Sequence, residues 1–176
     1  MTKLNGLSLL ELILSLALLT ILTTIAAPSY QQLIEQHRLR GAAETLAAEL
    51  QFAKSEAIKT NTTIKVDFTV NNPQTWCYGV STTRCNCQQS HACQLNGVEH
   101  VVHSAAFPNI AINQTQPWNG TATFNPSHGT MTAGGATLYS EHFKIRVTSS
   151  DFGRIKICNP SDLSNKSDFS GYPKCN

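Results

Sequence analysis

Residues 7–27 read LSLLELILSLALLTILTTIAA, and the reading of this stretch decides the architecture. About 21 mostly apolar residues make a helix of roughly 30 Å, the thickness of the hydrocarbon core of a bilayer. The leader before it, MTKLNG, is polar and carries one cation, Lys3. Positive charge flanking a span stays in the cytoplasm, so the expectation is a single-pass anchor with a cytoplasmic N-terminus and the rest of the chain outside. A secretory signal peptide cleaved near Ala26 and Ala27 is the competing reading. Its apolar core would run only roughly 7 to 15 residues. A disposable signal would also have no use for Glu11, which sits one turn inside the apolar run. A carboxylate in hydrocarbon costs on the order of a few kcal/mol, less near the interface, and marks a functional position by default.

The 176 residues have room for one ordinary domain beside that anchor. A net charge of +2, from 13 Lys and Arg against 11 Asp and Glu, names no partner, so any basic patch must be found locally. Charged residues make up only 14% of the chain; Thr, Asn, Ser and Gln supply most of the polarity, which suits a β-rich extracytoplasmic domain. Six cysteines, Cys77, Cys85, Cys87, Cys93, Cys158 and Cys175, fit disulfides in an oxidising compartment. Sequence alone does not choose the pairing. The expectation adopted is Cys158 with Cys175, stapling the C-terminal tail, and the other four among themselves. A zinc cluster of Cys77, Cys85, Cys87 and Cys93 with His91 would lack the paired C-x2-C hooks of common sites, so no metal is expected.

After Pro28 the pattern stays helical to about Thr60. Leu39, Ala43, Leu46, Leu50, Ala53 and Ala57 form a narrow apolar stripe, opposite Gln36, Arg40, Glu44, Glu49, Gln51, Lys54 and Glu56. The C-terminal part is expected to cover a sheet, and the part around Tyr30–Leu39 to stand clear of it. Gly41 weakens the helix interior by about 1 kcal/mol relative to alanine. From residue 61 the signals change. Ile64, Val66, Phe68 and Val70 alternate with Thr63, Lys65, Asp67 and Thr69, a half-buried strand ended by Asn71-Asn72-Pro73. Trp76–Ser81 reads as the next strand, 82–97 as a cysteine-bearing loop, and 98–103, 109–113, 121–125, 137–148 and 153–158 as shorter strands. Turns fall at Asn119-Gly120, Pro126–Gly129 and Gly134-Gly135. The fold class is therefore α+β: a long N-terminal transmembrane and amphipathic helix packed on an antiparallel β-sheet domain. The boundaries are a leader at 1–6, a transmembrane helix at 7–28, an amphipathic stem at 29–60 and a β-rich globular domain at 61–176.

Gly6-Leu7-Ser8-Leu9-Leu10-Glu11 resembles a type IV prepilin processing site. The resemblance implies that a prepilin peptidase cuts after Gly6, that Leu7 becomes a methylated N-terminus, and that Glu11 is retained for assembly. The physical logic is charge pairing: Glu11 of an incoming subunit can neutralise the terminal amine of a neighbour, and two charges buried together cost much less than one buried alone. Leu7 stands where the family usually has Phe, and Pro28 where many pilins carry a helix-kinking proline. Further along, Ala53-Lys54-Ser55-Glu56-Ala57-Ile58-Lys59-Thr60-Asn61 is similar to the end of the stem helix in the GspH/FimT group of minor pilins and pseudopilins. Trp76–Gly79 resembles its W-x-x-G strand, Phe124-Asn125-Pro126 with Gly129 its F-x-P-x-G turn, and Gly153-Arg154-Ile155-Lys156-Ile157-Cys158 its terminal G-R-x-R strand. The resemblance implies a minor type IV pilin that assembles with other major and minor pilins at the inner membrane. The alternative is an H-type minor pseudopilin of a type II protein secretion system.

Phe143–Val147 and Arg154–Ile157 both alternate, with a turn at Ser149–Gly153 between them. That places Lys144, Arg146, Arg154 and Lys156 on one face with no acid among them, a surface able to hold a phosphate backbone without reading bases. Some members of the resembled group bind DNA during natural transformation through the G-R-x-R region, which implies DNA as a partner here. Lys156 replaces the usual Arg, keeping the charge but losing bidentate phosphate geometry. Four phosphate contacts would give a log–log salt slope of about −3.6 on duplex DNA. The bland reading is a solvated face whose charges protect an edge from aggregation. There is no P-loop, no G-x-S-x-G and no H-E-x-x-H, so neither an enzyme nor a cofactor is expected. His100 and His103 should point to opposite faces of a strand, and His37, His91, His128 and His142 have no evident companions.

Overall fold

The computed structural model describes residues 8–115 and 118–175. Gly6 and Leu7, the expected processing site, lie outside them. The first element is a helix, α1, Leu9–Thr60. Its apolar side chains from Leu9 to Leu22 are exposed, and the run is long and apolar enough to cross a membrane. The hydroxyls in this run turn back onto their own helix. Ser15 donates to Glu11 O, Thr20 to Ala17 O, Thr23 to Leu19 O and Thr24 to Ile21 O, so hydrocarbon would meet no unpaired hydroxyl donor among them.

The chain divides into two compact units between Ile34 and Glu35. In the second, the whole expected stripe from Leu39 to Ala57 is buried, together with Ala42 and Ala47. The buried face is wider than the spacing suggests because alanines on its flank let the strands approach closely. Three residues read as outward do not face water freely: Glu56 is buried, one carboxylate oxygen of Glu49 is buried, and Lys54 is half-buried. The stretch expected to stand clear is shorter than Tyr30–Leu39, since Leu39 is fully buried and Glu35 already bonds the domain.

Two antiparallel sheets and a short ribbon follow. Strands β1 (Ile64–Asn72), β2 (Thr75–Ser81), β5 (Val101–His103) and β7 (Thr121–Phe124) form the first, in the order β5-β2-β1-β7. Strands β6 (Ala111–Thr115), β8 (Gly134–Tyr139), β9 (Phe143–Ser149) and β10 (Ile155–Cys158) form the second, in the order β10-β9-β8-β6. Strand β11 (Ser167–Asp168) adds to β9 in parallel, and β3 (Gln94–Leu95) pairs with β4 (Val98–Glu99). Pairing Val66 with Val80 and with Ala122 stacks apolar side chains on the helix side. Ile145 and Val147 of β9 and Ala136 and Leu138 of β8 complete one core with α1.

Several sequence assignments change. The run 98–103 is not one strand but β4 and β5, which belong to different sheets. The run 137–148 is not one strand but β8 and β9, joined by a tight turn at Ser140–His142 in which Ser140 N donates to Phe143 O at 2.9 Å. Gly134 and Gly135 are not a turn but the start of β8. A side chain at Gly134 would enter the ring of Trp118, whose Nε1 donates to Thr132 O and Ser149 Oγ; glycine inside a strand marks such a close approach. Asp67, read as outward, is buried because the cysteine loop covers that side of β1: it accepts from Cys85 N at 2.9 Å and Thr121 Oγ1 at 2.6 Å.

Candidate functional site

The hairpin β9–β10 is in register Ile155 to Ser149 through Cys158 to Arg146, so alternation puts Lys144, Arg146 and Lys156 on one face, as expected. Their surroundings differ from the expectation. Lys144 is buried: its Nζ donates to Asp162 O at 2.8 Å and Leu163 O at 3.2 Å, and lies 3.6 Å from the Asp168 carboxylate. Arg146 pairs with Asp162 through Nη2 and donates from Nε to Thr137 Oγ1 at 2.7 Å. A face of four free cations therefore does not exist in this structure. The C-terminal tail crosses the strand, satisfies two cations, and places two acids among them. Arg154 and Lys156 remain exposed, with no ion pair among the described residues.

The tail is held there by several independent ties. Asn159 is buried and uses its whole amide: Nδ2 donates to Phe169 O and Tyr172 O, and Oδ1 accepts from Phe169 N. Cys158 is bonded to Cys175. Phe169 packs edge-on against Phe143 and Tyr172. The Tyr172 hydroxyl donates to Glu44 on α1, whose carboxylate also takes Arg40 at 2.8 Å.

Three of the motifs quoted from the sequence converge on one structural clasp. Lys54 of α1 reaches Gly153 O with its Nζ at 2.9 Å, and its stem lies against Gly129. Gly153 adopts φ +69°, and any side chain there would strike the Gly129 carbonyl. The F-x-P-x-G turn, the G-R strand and the end of the stem helix thus meet at Lys54. The clasp fixes the turn of the β9–β10 hairpin from below. Gly153 N donates to Ser150 O, Met131 N to Asp151 O and Ala133 N to Asp151 Oδ1. Between these tied neighbours Phe152 is 86% exposed.

The remaining cysteines pair as Cys77 with Cys87 and Cys85 with Cys93. This locks residues 82–97 over β2, and Cys93 lies where a side chain on Gly79 would go. His100 stacks on Phe52 at 4.9 Å, and His103 is exposed. His142 does have a companion that the sequence pattern hid. Its backbone N donates to Glu35 Oε1 at 2.8 Å, and its Nδ1 lies 2.9 Å from Oε2. Partial burial pushes the Glu35 carboxyl up, but hydrogen bonds from Ser140 and His142 outweigh it and hold the group below the usual value. Glu11 is exposed within the apolar part of α1.

The family model for type II transport protein GspH matches residues 42–153. Among solved structures, the type IV minor pilin FimU of Pseudomonas aeruginosa (strain PAO1) is similar in fold. One crystal form gives a TM-score of 0.53 at 17% identity, covering 70% of this chain and 90% of that one. A second gives 0.49 at 19%, covering 67% and 90%. No curated protein matches the chain.

Proposed function

The chain belongs to the GspH family of type II transport proteins, and on that premise we propose that it is a minor type IV pilin that takes DNA from outside the cell. The observation that carries the filament reading is α1. Its first turns expose an unbroken apolar surface interrupted by one carboxylate, Glu11, and an exposed carboxylate within a membrane-length apolar run has a purpose only beside a cation. In this reading the peptidase cuts after Gly6, Leu7 carries the methylated amine, and Glu11 meets the amine of the neighbouring subunit. The N-terminus starts in the cytoplasm, and the domain from Glu35 onward works in the periplasm or on the cell surface. Glu11→Val is expected to insert and be processed yet to be missing from filaments; normal incorporation would overturn this role. A bulky residue at Gly6 is expected to retain the leader, read by intact mass.

The DNA reading rests on the exposed cations Lys156, on the edge strand β10, and Arg154, immediately before it, with no acid paired to them among the described residues. Arg154→Gln/Lys156→Gln is expected to abolish salt-sensitive DNA binding. A wild type that binds no DNA at low salt would leave a purely structural subunit. The family model itself favours a second reading, an H-type minor pseudopilin of a type II secretion system. Deletion of the chain separates the two: loss of pili and DNA uptake supports the first, and loss of protein export supports the second.

A further inference from the structure

Phe152 is the most exposed large apolar side chain among the described residues outside and inside the anchor alike. Leaving a phenylalanine in water forgoes roughly 1.5–3 kcal/mol of burial, and nothing in the fold requires an aromatic at this place. The turn that carries it is not loose. Ser150 N donates to Arg154 O at 3.0 Å and Gly153 N to Ser150 O at 2.8 Å, closing the hairpin. The residues on either side are pinned to the body: Asp151 by Met131 N and Ala133 N, and Gly153 by Lys54 Nζ. The backbone is thus held on both sides while the ring itself stays in solvent. Two and four residues later come Arg154 and Lys156, also exposed and without an acidic partner among the described residues. The one carboxylate of the turn, Asp151, is engaged by the Ala133 amide.

A rigid, solvent-facing aromatic followed by free cations is the combination that holds a single nucleic-acid strand: the ring stacks on an unpaired base while the cations meet the flanking phosphates. Duplex DNA keeps its bases stacked inside, so it can use the cations and not the ring. We propose that Phe152, with Arg154 and Lys156, forms a subsite for single-stranded nucleic acid in which the Phe152 ring stacks on one unpaired base. The proposal rests on the DNA reading above and adds to it the kind of strand selected. A protein partner for Phe152 is the competing occupant, but an apolar docking contact gives no reason for the two cations beside it.

The test uses the full chain in zwitterionic detergent, titrated at low salt by fluorescence anisotropy. The probes are a 12-nucleotide single strand, the same strand with abasic sites, and the matching duplex. Wild type is expected to bind the single strand more tightly than the abasic strand. Phe152→Ala is expected to weaken single-strand binding about 5- to 150-fold, the range of one lost base–aromatic stack, and to leave duplex binding unchanged. Phe152→Trp is expected to restore affinity, with its indole fluorescence quenched by the single strand and not by the abasic one; Trp76 and Trp118 are buried and serve as constant background. Unchanged single-strand binding in Phe152→Ala, together with loss in Arg154→Gln/Lys156→Gln, overturns the stacking proposal and leaves the DNA reading standing. Absence of binding by wild type to any probe removes both. Phe152→Ala that binds like wild type but drops out of filaments makes Phe152 a subunit contact and also overturns the proposal.

Discussion

Two glycines show what one missing side chain does at opposite sites. Gly41 lies inside α1, and a Cβ there would meet Phe107 at 3.7 Å, an ordinary contact. Nothing requires glycine at that place, so Gly41→Ala is expected to stabilise the domain by about 1 kcal/mol through the unfolded chain's lost freedom and better helix propensity. The midpoint of urea unfolding checks it. Gly79 is the reverse case, since its Cβ would stand 2.6 Å from Cys93 Cβ. Gly79→Ala must shift the Cys85–Cys93 bridge off β2 and is expected to cost about 1–3 kcal/mol, read by the same titration. The sequence offered Gly79 only as part of a W-x-x-G spacing. The reason for it, a disulfide pressed on the strand fourteen residues before that cysteine is reached, depends on a pairing that spacing alone leaves open.

At the scale of elements, the contact between α1 and the β8–β9 turn carries a pH dependence whose sign is fixed by Glu35. Its carboxyl is held below the ordinary value of 4.5 by Ser140 and His142 despite partial burial. The folded state therefore binds the proton less readily than the unfolded chain. The stabilisation is fully present above about pH 4.5 and is lost as pH falls through the lower folded-state value. The stability difference between wild type and Glu35→Gln is expected to be constant from neutral pH down to about 4.5 and to shrink as pH falls from there through the lower folded-state value. A difference that grows in acid would contradict the assignment. This turn was the least legible part of the chain. Ser140-Glu141-His142 contains no Gly, Pro or Asn, so 137–148 reads as one strand, and a glutamate 107 residues away supplies what local turn chemistry lacks. The alternation of β1 and the apolar stripe of α1, by contrast, were plain, because burial of one face imposes a period that any short window contains.

For the molecule as a whole, the decisive contacts are those between the basic strand and the tail. Alternation correctly gave the face of Lys144, Arg146 and Lys156, but it cannot see that Asp162 and Asp168 return to that face. The tail depends on Cys158–Cys175, which closes a span of 17 residues and is worth about 3 kcal/mol by loop entropy. Cys158→Ser/Cys175→Ser is expected to lose about that much and to be cut by trypsin after Lys166 sooner than wild type. On the DNA reading proposed above, the same cover would set the electrolyte response of binding. With only Arg154 and Lys156 free, duplex affinity should fall with a log–log salt slope of about −1.8, half that of four phosphate contacts. A Cys158→Ser chain ending at Asn159 uncovers Lys144 and Arg146 and removes both acids, so its slope is expected to steepen toward about −3.6, provided circular dichroism shows the sheets intact. Equal slopes in the two proteins would mean that the tail does not stand between β9 and the phosphates. A wild-type slope already near −3.6 would mean that the tail lifts from β9 when DNA binds.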